Sequence, residues 1–251
     1  MNGLFMPVID INCDMGEGVG NDAALMPYIS SANIACGYHA GDMDTMNTVI
    51  ELAMAHDVSI GAHVSFPDKE NFGRSEMQLP LNEIYVLVQD QLRLMIQLAK
   101  GKNASVKHIK PHGALYNMSA RQVRLAKVIA QAVADIDPSM VLMGLSGSCS
   151  IIEADKLGLK TASEVFADRR YEEDGSLRSR SLPGAMIENE EEALQQVLQM
   201  IMRKSITAFS GKQIPVSADT ICIHGDGAHA VEFAKRIHHT LKDQSVAIKA
   251  F

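Results

Sequence analysis

No C-x-x-C pair occurs anywhere in this sequence, and its four cysteines, Cys13, Cys36, Cys149 and Cys222, lie far apart. That argues against a zinc ribbon and against a disulfide framework. Three of the four sit in apolar, strand-like runs, where small thiols serve as buried filler. No apolar run reaches the roughly 18 residues that a membrane-spanning helix needs. The opening residues, MNGLFMPVIDINCD, lack the basic start and long apolar stretch of a secretory signal, so the expected location is the cytoplasm. A basic block is missing too, and the net charge is −7. Nucleic acid is therefore not expected as the main partner, because phosphate binding needs clustered Lys and Arg. Linkers rich in Gly, Pro or Ser are also absent, so residues 1–251 are expected to form one domain.

What is present is a globular composition, 47% hydrophobic and 21% charged, able to bury a large core. Short β-like runs alternate with longer segments of helical period. The runs 7–13, 32–37, 58–64, 106–110, 139–145, 162–167 and 220–225 read as strands, with 184–187 as a further short one. Helices are expected over 43–56, 81–99, 119–134, 189–204 and 228–242. The acidic cluster Glu190 to Glu192 suits the positive end of a helix dipole. Strand, loop and helix in repetition mean parallel strands with helical crossovers. The near-even spacing and the length favour a single, distorted (β/α) barrel of seven or eight parallel strands over an open sheet. Residues 205–219 look like a hairpin-sized insertion before the last strand, and helix 81–99 is long enough to dock a second copy in a homo-oligomer.

The ionisable residues are not scattered. Asp14 and Glu17 follow the first strand, His39 and Asp42 the second, and His63 ends the third. Lys110 and His112 follow the fourth, Glu164, Asp168 and Arg169 flank the sixth, and His224 and Asp226 end the last. In a parallel barrel these positions converge on one rim, where such folds place their chemistry. Plainer roles compete for some of them. Asp42 stands where a helix cap is needed. His56, His108, His238 and His239 fall at helical or mid-strand positions and read as surface or packing residues.

Three chemistries fit the rim. One is metal-assisted hydrolysis on His39, His63 and Asp14, although no H-x-x-x-H or H-E-x-x-H spacing supports it, so no metal ligand is assigned and a divalent metal stays open. A second is metal-free acid–base hydrolysis, with Asp14 and a histidine activating water while Lys110 and Arg169 hold anionic groups. The third is phosphate handling, but no G-x-x-x-x-G-K-[ST] loop occurs. The charged run 164–180 reads as a solvated loop by itself. Beside a strand end, its Arg169, Tyr171, Arg178 and Arg180 could hold a carboxylate.

Six stretches, DINCDMGEG, ANIACGYHAGD, IGAHVSFPDKENFGR, IKPHGALYN, EVFADRRYEEDGSLRSR and ICIHGD, stand in an order that resembles the LamB/YcsF family across about residues 9–227. The chain departs from the usual family pattern at Met43, Val64, Ser75 and Gly227-Ala228. The resemblance implies a barrel similar to the polysaccharide-deacetylase group. It also implies ring-opening of 5-oxo-L-proline to L-glutamate, coupled to ATP hydrolysis and shared with two other subunits of a 5-oxoprolinase. With no nucleotide loop here, ATP is expected to be handled with those partners. The residues expected to carry catalysis are Asp14, His39, His63, Lys110 and His112. Those expected to bind substrate are Glu17, Asp42, Glu164, Arg169, Arg178, His224 and Asp226. A stand-alone metal-dependent amidohydrolase or deacetylase is the alternative.

Overall fold

In the first strand, Val8–Met15 (β1), Ile9, Ile11, Cys13 and Met15 alternate with Asp10, Asn12 and Asp14. Successive strand side chains point to opposite faces. The apolar set packs outward under helices, and the polar set points into the interior of a barrel. The computed structural model describes residues 7–225 and 229–251.

Six further strands complete the barrel: Ser31–Ala35 (β2), Ser59–Val64 (β3), Val106–Pro111 (β4), Val141–Leu145 (β5), Lys160–Phe166 (β6) and Thr220–Cys222 (β9). Each pairs in parallel with the next, and β9 pairs back onto β1. The result is a closed seven-stranded parallel barrel. Ala247–Ile248 (β10) adds to the free edge of β1 at Val8 and Ile9. Ser205–Thr207 (β7) and Gln213–Pro215 (β8) form a separate antiparallel hairpin within residues 205–219.

The helices surround this barrel: Asp22–Leu25 (α1), Met43–Ala55 (α2), Leu81–Gly101 (α3), Gly113–Arg121 (α4), Val123–Ala134 (α5), Cys149–Lys156 (α6), Glu190–Arg203 (α7) and Ala230–Asp243 (α8). Among the described residues, none is long and apolar enough to cross a membrane. Three expectations change. Residues 184–187 are not a strand, and only Met186 bridges, to Arg169. The helix expected over 119–134 is two helices, because Gln122 takes an extended backbone and ends one before starting the other. Residues 149–156 form an additional helix, too short for its periodicity to stand out in the sequence.

The floor of the barrel is polar and hydrogen-bonded. Asp10 accepts from Ser30 Oγ at 2.6 Å, Ser31 Oγ at 2.8 Å and Thr220 Oγ1 at 2.5 Å. Above it, Asn12 donates to Thr220, Asn33 donates to Asn12, and His108 Nε2 donates to Asn33 Oδ1 at 2.9 Å. His108 is thus a packing residue inside the barrel, held to a pKa of about 3 by burial and by nearby Lys110. Its ring occupies the space left by Gly61, where a Cβ would sit 2.0 Å from His108 Nε2. On the opposite side the interior is apolar, filled by Val141, Met143 and Ala162.

Candidate active site

The strand ends deliver the side chains, and a loop locks them in place. At the end of β4 the chain passes from Pro111 through His112 directly into α4, whose first residue is Gly113. Loop 65–75 folds over this junction. Asp68 ties the loop by accepting from Asn71 Nδ2 at 2.8 Å and the Ser75 amide at 3.0 Å. Gly73, at φ +66°, is the close-packed point: a Cβ there would lie 2.9 Å from both His112 Cδ2 and His39 Cβ. The preceding carbonyl, of Phe72, meets His112 Nε2 at 2.9 Å.

Three imidazoles and a carboxylate from four consecutive strand ends meet beneath this loop. The rings of His39 and His112 stack at 3.8 Å, and His63 stands edge-on to both. Glu17 Oε1 lies 3.0 Å from His39 Nε2, 3.3 Å from His112 Nδ1 and 3.7 Å from His63 Nε2. Glu17, His39, His63 and His112 each offer one ligand atom, and these atoms all lie within 4.8 Å of one another. Burial and neighbouring His63 hold both His39 and His112 to about 3, so both are neutral near pH 7. Burial and Asp14 push the Glu17 carboxyl above its ordinary range.

Beside this cluster stands a buried lysine between two carboxylates. Lys110 Nζ is 2.9 Å from Asp14 Oδ1 and 2.7 Å from Glu164 Oε1, and it also reaches Asn12 Oδ1 at 3.1 Å. Burial opposes its charge, but Asp14 and Glu164 hold its pKa well above the ordinary value. Burial likewise works against the Asp14 carboxylate. His63 and Lys110 outweigh it and keep Asp14 well below the usual range.

Above both lies an open cavity of about 630 Å³. Asp14, Glu17, His63, Lys110 and His112 form its inner end, and Arg74, Arg121, Arg169 and Arg180 stand on its walls. Arg169 is buried; its Nη2 donates to the Arg178 carbonyl at 2.7 Å, while its Nε is buried without a protein partner. Burial, then neighbouring Arg180, brings its pKa down to about 10. His224 Nε2 accepts from Arg180 Nη2 at 2.9 Å, and its Nδ1 donates to Asp168 at 2.8 Å.

The sequence-predicted residues therefore divide. Asp14, Glu17, His63, Lys110, His112, Arg169 and His224 line the cavity, and His39 is packed immediately behind it. Three do not take the substrate-binding place expected of them. Asp42 is exposed and caps α2, accepting from the Thr45 amide at 2.8 Å and Thr45 Oγ1 at 2.7 Å. Glu164 is fully buried beneath Lys110, outside the cavity lining. Arg178 is turned away onto Glu172, the Pro183 carbonyl and the Phe209 ring, and its neighbour Arg180 lines the cavity. Asp226 lies outside the described residues. Arg74 and Arg121 are additions, and Asp168, already placed at the sixth strand end by the sequence, holds the His224 ring. Arg74 ends the FGR stretch, which signals it, whereas Arg121 sits in a helix with no local mark.

Known proteins match this chain over almost its full extent. A 5-oxoprolinase subunit of Tolumonas auensis is 50% identical over 250 residues, covering 98% of this chain and 100% of the relative. The crystal structure of a lactam utilization protein from Thermus thermophilus superposes with a TM-score of 0.91 at 38% identity, covering 97% and 100% of the two chains. A family 4 carbohydrate esterase from Streptomyces lividans, at 10% identity and a TM-score of 0.51 over 96% and 91%, shares the fold. The model of the LamB/YcsF family matches residues 9–251, and the chain belongs to that family.

Proposed function

We propose that this chain opens the ring of 5-oxo-L-proline to give L-glutamate, as one subunit of an ATP-dependent 5-oxoprolinase. What carries the reading is the cavity, which sets a buried carboxylate–lysine pair against walls bearing Arg169 and Arg180. The names of the close relatives point to the same chemistry. The Arg169 Nε is a buried donor with no protein partner. Such groups are rare in folded proteins and are commonly satisfied by a ligand or water. A substrate carboxylate or phosphate is the natural acceptor, since guanidinium binds both through paired N–H groups.

A five-membered lactam is an unstrained, weakly electrophilic amide, so uncoupled hydrolysis is slow and unfavourable. Transfer of a phosphoryl group from ATP to the lactam oxygen activates the ring carbon. Water then adds to that carbon, the C–N bond breaks and the nitrogen takes a proton. A second water releases the phosphoryl group as phosphate. Asp14 faces the cavity as an ionised carboxylate and accepts the proton of the attacking water; activation of the ring makes a weak base sufficient. Lys110 keeps Asp14 ionised and aimed. ATP is handled with the partner subunits, because the chain has no P-loop.

If a metal occupies the histidine cluster, Glu17, His39, His63 and His112 hold it. It would supply positive charge for polarising an oxygen at the inner end of the cavity.

The test is glutamate release from 5-oxoproline, with and without ATP, by this chain alone and together with its two partner subunits. Glutamate is expected only with ATP and partners. Release by the chain alone overturns the shared reaction and favours a stand-alone amidohydrolase. No glutamate in the complete mixture overturns the substrate.

A further inference from the structure

One carboxylate and three imidazoles turn potential ligand atoms toward a single point in this cluster. His63 Nδ1 lies 2.9 Å from the Lys110 carbonyl, and His112 Nε2 lies 2.9 Å from the Phe72 carbonyl. A carbonyl oxygen can only accept, so each of those ring nitrogens carries a proton. The remaining nitrogens, His63 Nε2 and His112 Nδ1, are the ones turned into the cluster, and they face each other at 2.9 Å. Glu17 Oε1 joins them at 3.7 Å and 3.3 Å, and Asp14 Oδ2 stands 3.3 Å from His63 Nε2. All of these converging atoms are of the kinds that ligate metal ions.

The charges lean the same way. Asp14 and Glu164 flank the buried ammonium of Lys110, and Glu17 adds a third carboxylate beside the imidazoles. Outer contacts also match what ligand histidines require. In metal sites the distal ring nitrogen donates to a carbonyl or carboxylate, which fixes the ring and its tautomer. His63 and His112 both have that contact already. Three imidazoles with one carboxylate make a nitrogen-rich, borderline donor set, suited to zinc and its transition-metal neighbours rather than to magnesium or calcium.

We propose that Glu17, His39, His63 and His112 form a binding site for one divalent transition-metal ion of the zinc class. The inference stands on donor geometry and does not depend on which amide the protein opens.

The experiment strips the full chain with a chelator and titrates it separately with Zn²⁺, Co²⁺ and Mg²⁺, reading stoichiometry by elemental analysis and calorimetry. Expected are uptake of one Zn²⁺ or Co²⁺ per chain, visible Co²⁺ absorption bands, and little response to Mg²⁺. Saturating Zn²⁺ should raise Tm by roughly 5–10 °C, as tight binding to the native state alone does. Glu17→Gln and His112→Gln should each weaken binding by about 100-fold or more, a loss at least as large as outer-contact variants give. Glu51→Gln, on the exposed outer face of α2, should leave binding unchanged. Circular dichroism checks that each variant is folded. Should a ligand variant fail to fold, the wild-type Co²⁺ spectrum and the histidine ring resonances decide. A stripped, folded wild type that takes up no Zn²⁺ or Co²⁺ overturns the site. So does binding that survives in folded Glu17→Gln and His112→Gln, or Co²⁺ uptake that leaves the histidine resonances unmoved.

Discussion

The floor and the mouth of the barrel contain similar side chains with different surroundings. At the floor, Asp10 is buried as deeply as any catalytic carboxylate, yet three hydroxyls donate to it and Asn12, Asn33 and His108 continue the chain of donors and acceptors as far as His108 Nδ1, which has no partner. At the mouth, ring nitrogens of His63 and His112 face each other, Glu17 leans on both, and Arg169 keeps a buried donor without a partner. A buried polar network with every group paired fixes one structure. A group left unpaired costs stability and invites a ligand. Burial alone therefore does not mark function here. The mark is a group of ring nitrogens, carboxylates and guanidinium groups that converge beside an open cavity.

Breaking the mouth should have the largest effect. Lys110→Ala removes the ammonium between Asp14 and Glu164, leaving two buried carboxylates without their partner. Turnover of the assembled enzyme should fall by about 100-fold or more, because the cavity carboxylate loses its aim and ionisation. Urea unfolding should show a loss of about 3–5 kcal/mol, the scale for breaking a buried ion pair. A folded variant with wild-type rates would remove Lys110 from the mechanism.

Disturbing the floor should cost stability without touching the chemistry. Ser31→Ala deletes one of the three donors to Asp10 and is expected to cost about 1.5–3 kcal/mol in urea unfolding. Glutamate formation at saturating substrate should stay at the wild-type rate in the folded protein. A slowed reaction at intact stability would mean that floor and mouth are coupled.

The smallest change sharpens the boundary of the site. Asp42→Ala removes the cap of α2 and should lower stability by about 1 kcal/mol. KM should be unaltered, since Asp42 is exposed and its oxygen is committed to Thr45. A clear rise in KM would return Asp42 to the substrate.

Much of this was legible along the chain. The alternation in β1 marks the barrel wall, and glycine-flanked acids and histidines at successive strand ends mark the rim. Orientation was not legible. Arg178 and Arg180 stand two apart in one charged loop, and nothing local says that the first turns to Glu172 while the second meets His224. The role of Glu164 is hidden for the same reason: its neighbour in space, Lys110, is remote in sequence.

The sequence by itself determined the strand–helix alternation, the apolar face of each strand and the set of polar groups at the strand ends, because those depend on side-chain periodicity and turn chemistry. Only the tertiary structure decided that Glu17, His39, His63 and His112 meet within 4.8 Å, with the outward ring nitrogens of His63 and His112 held by backbone carbonyls. Closing the barrel brings four consecutive strand ends around one point, and the orientation of the His63 and His112 rings follows from carbonyls that lie far away along the chain.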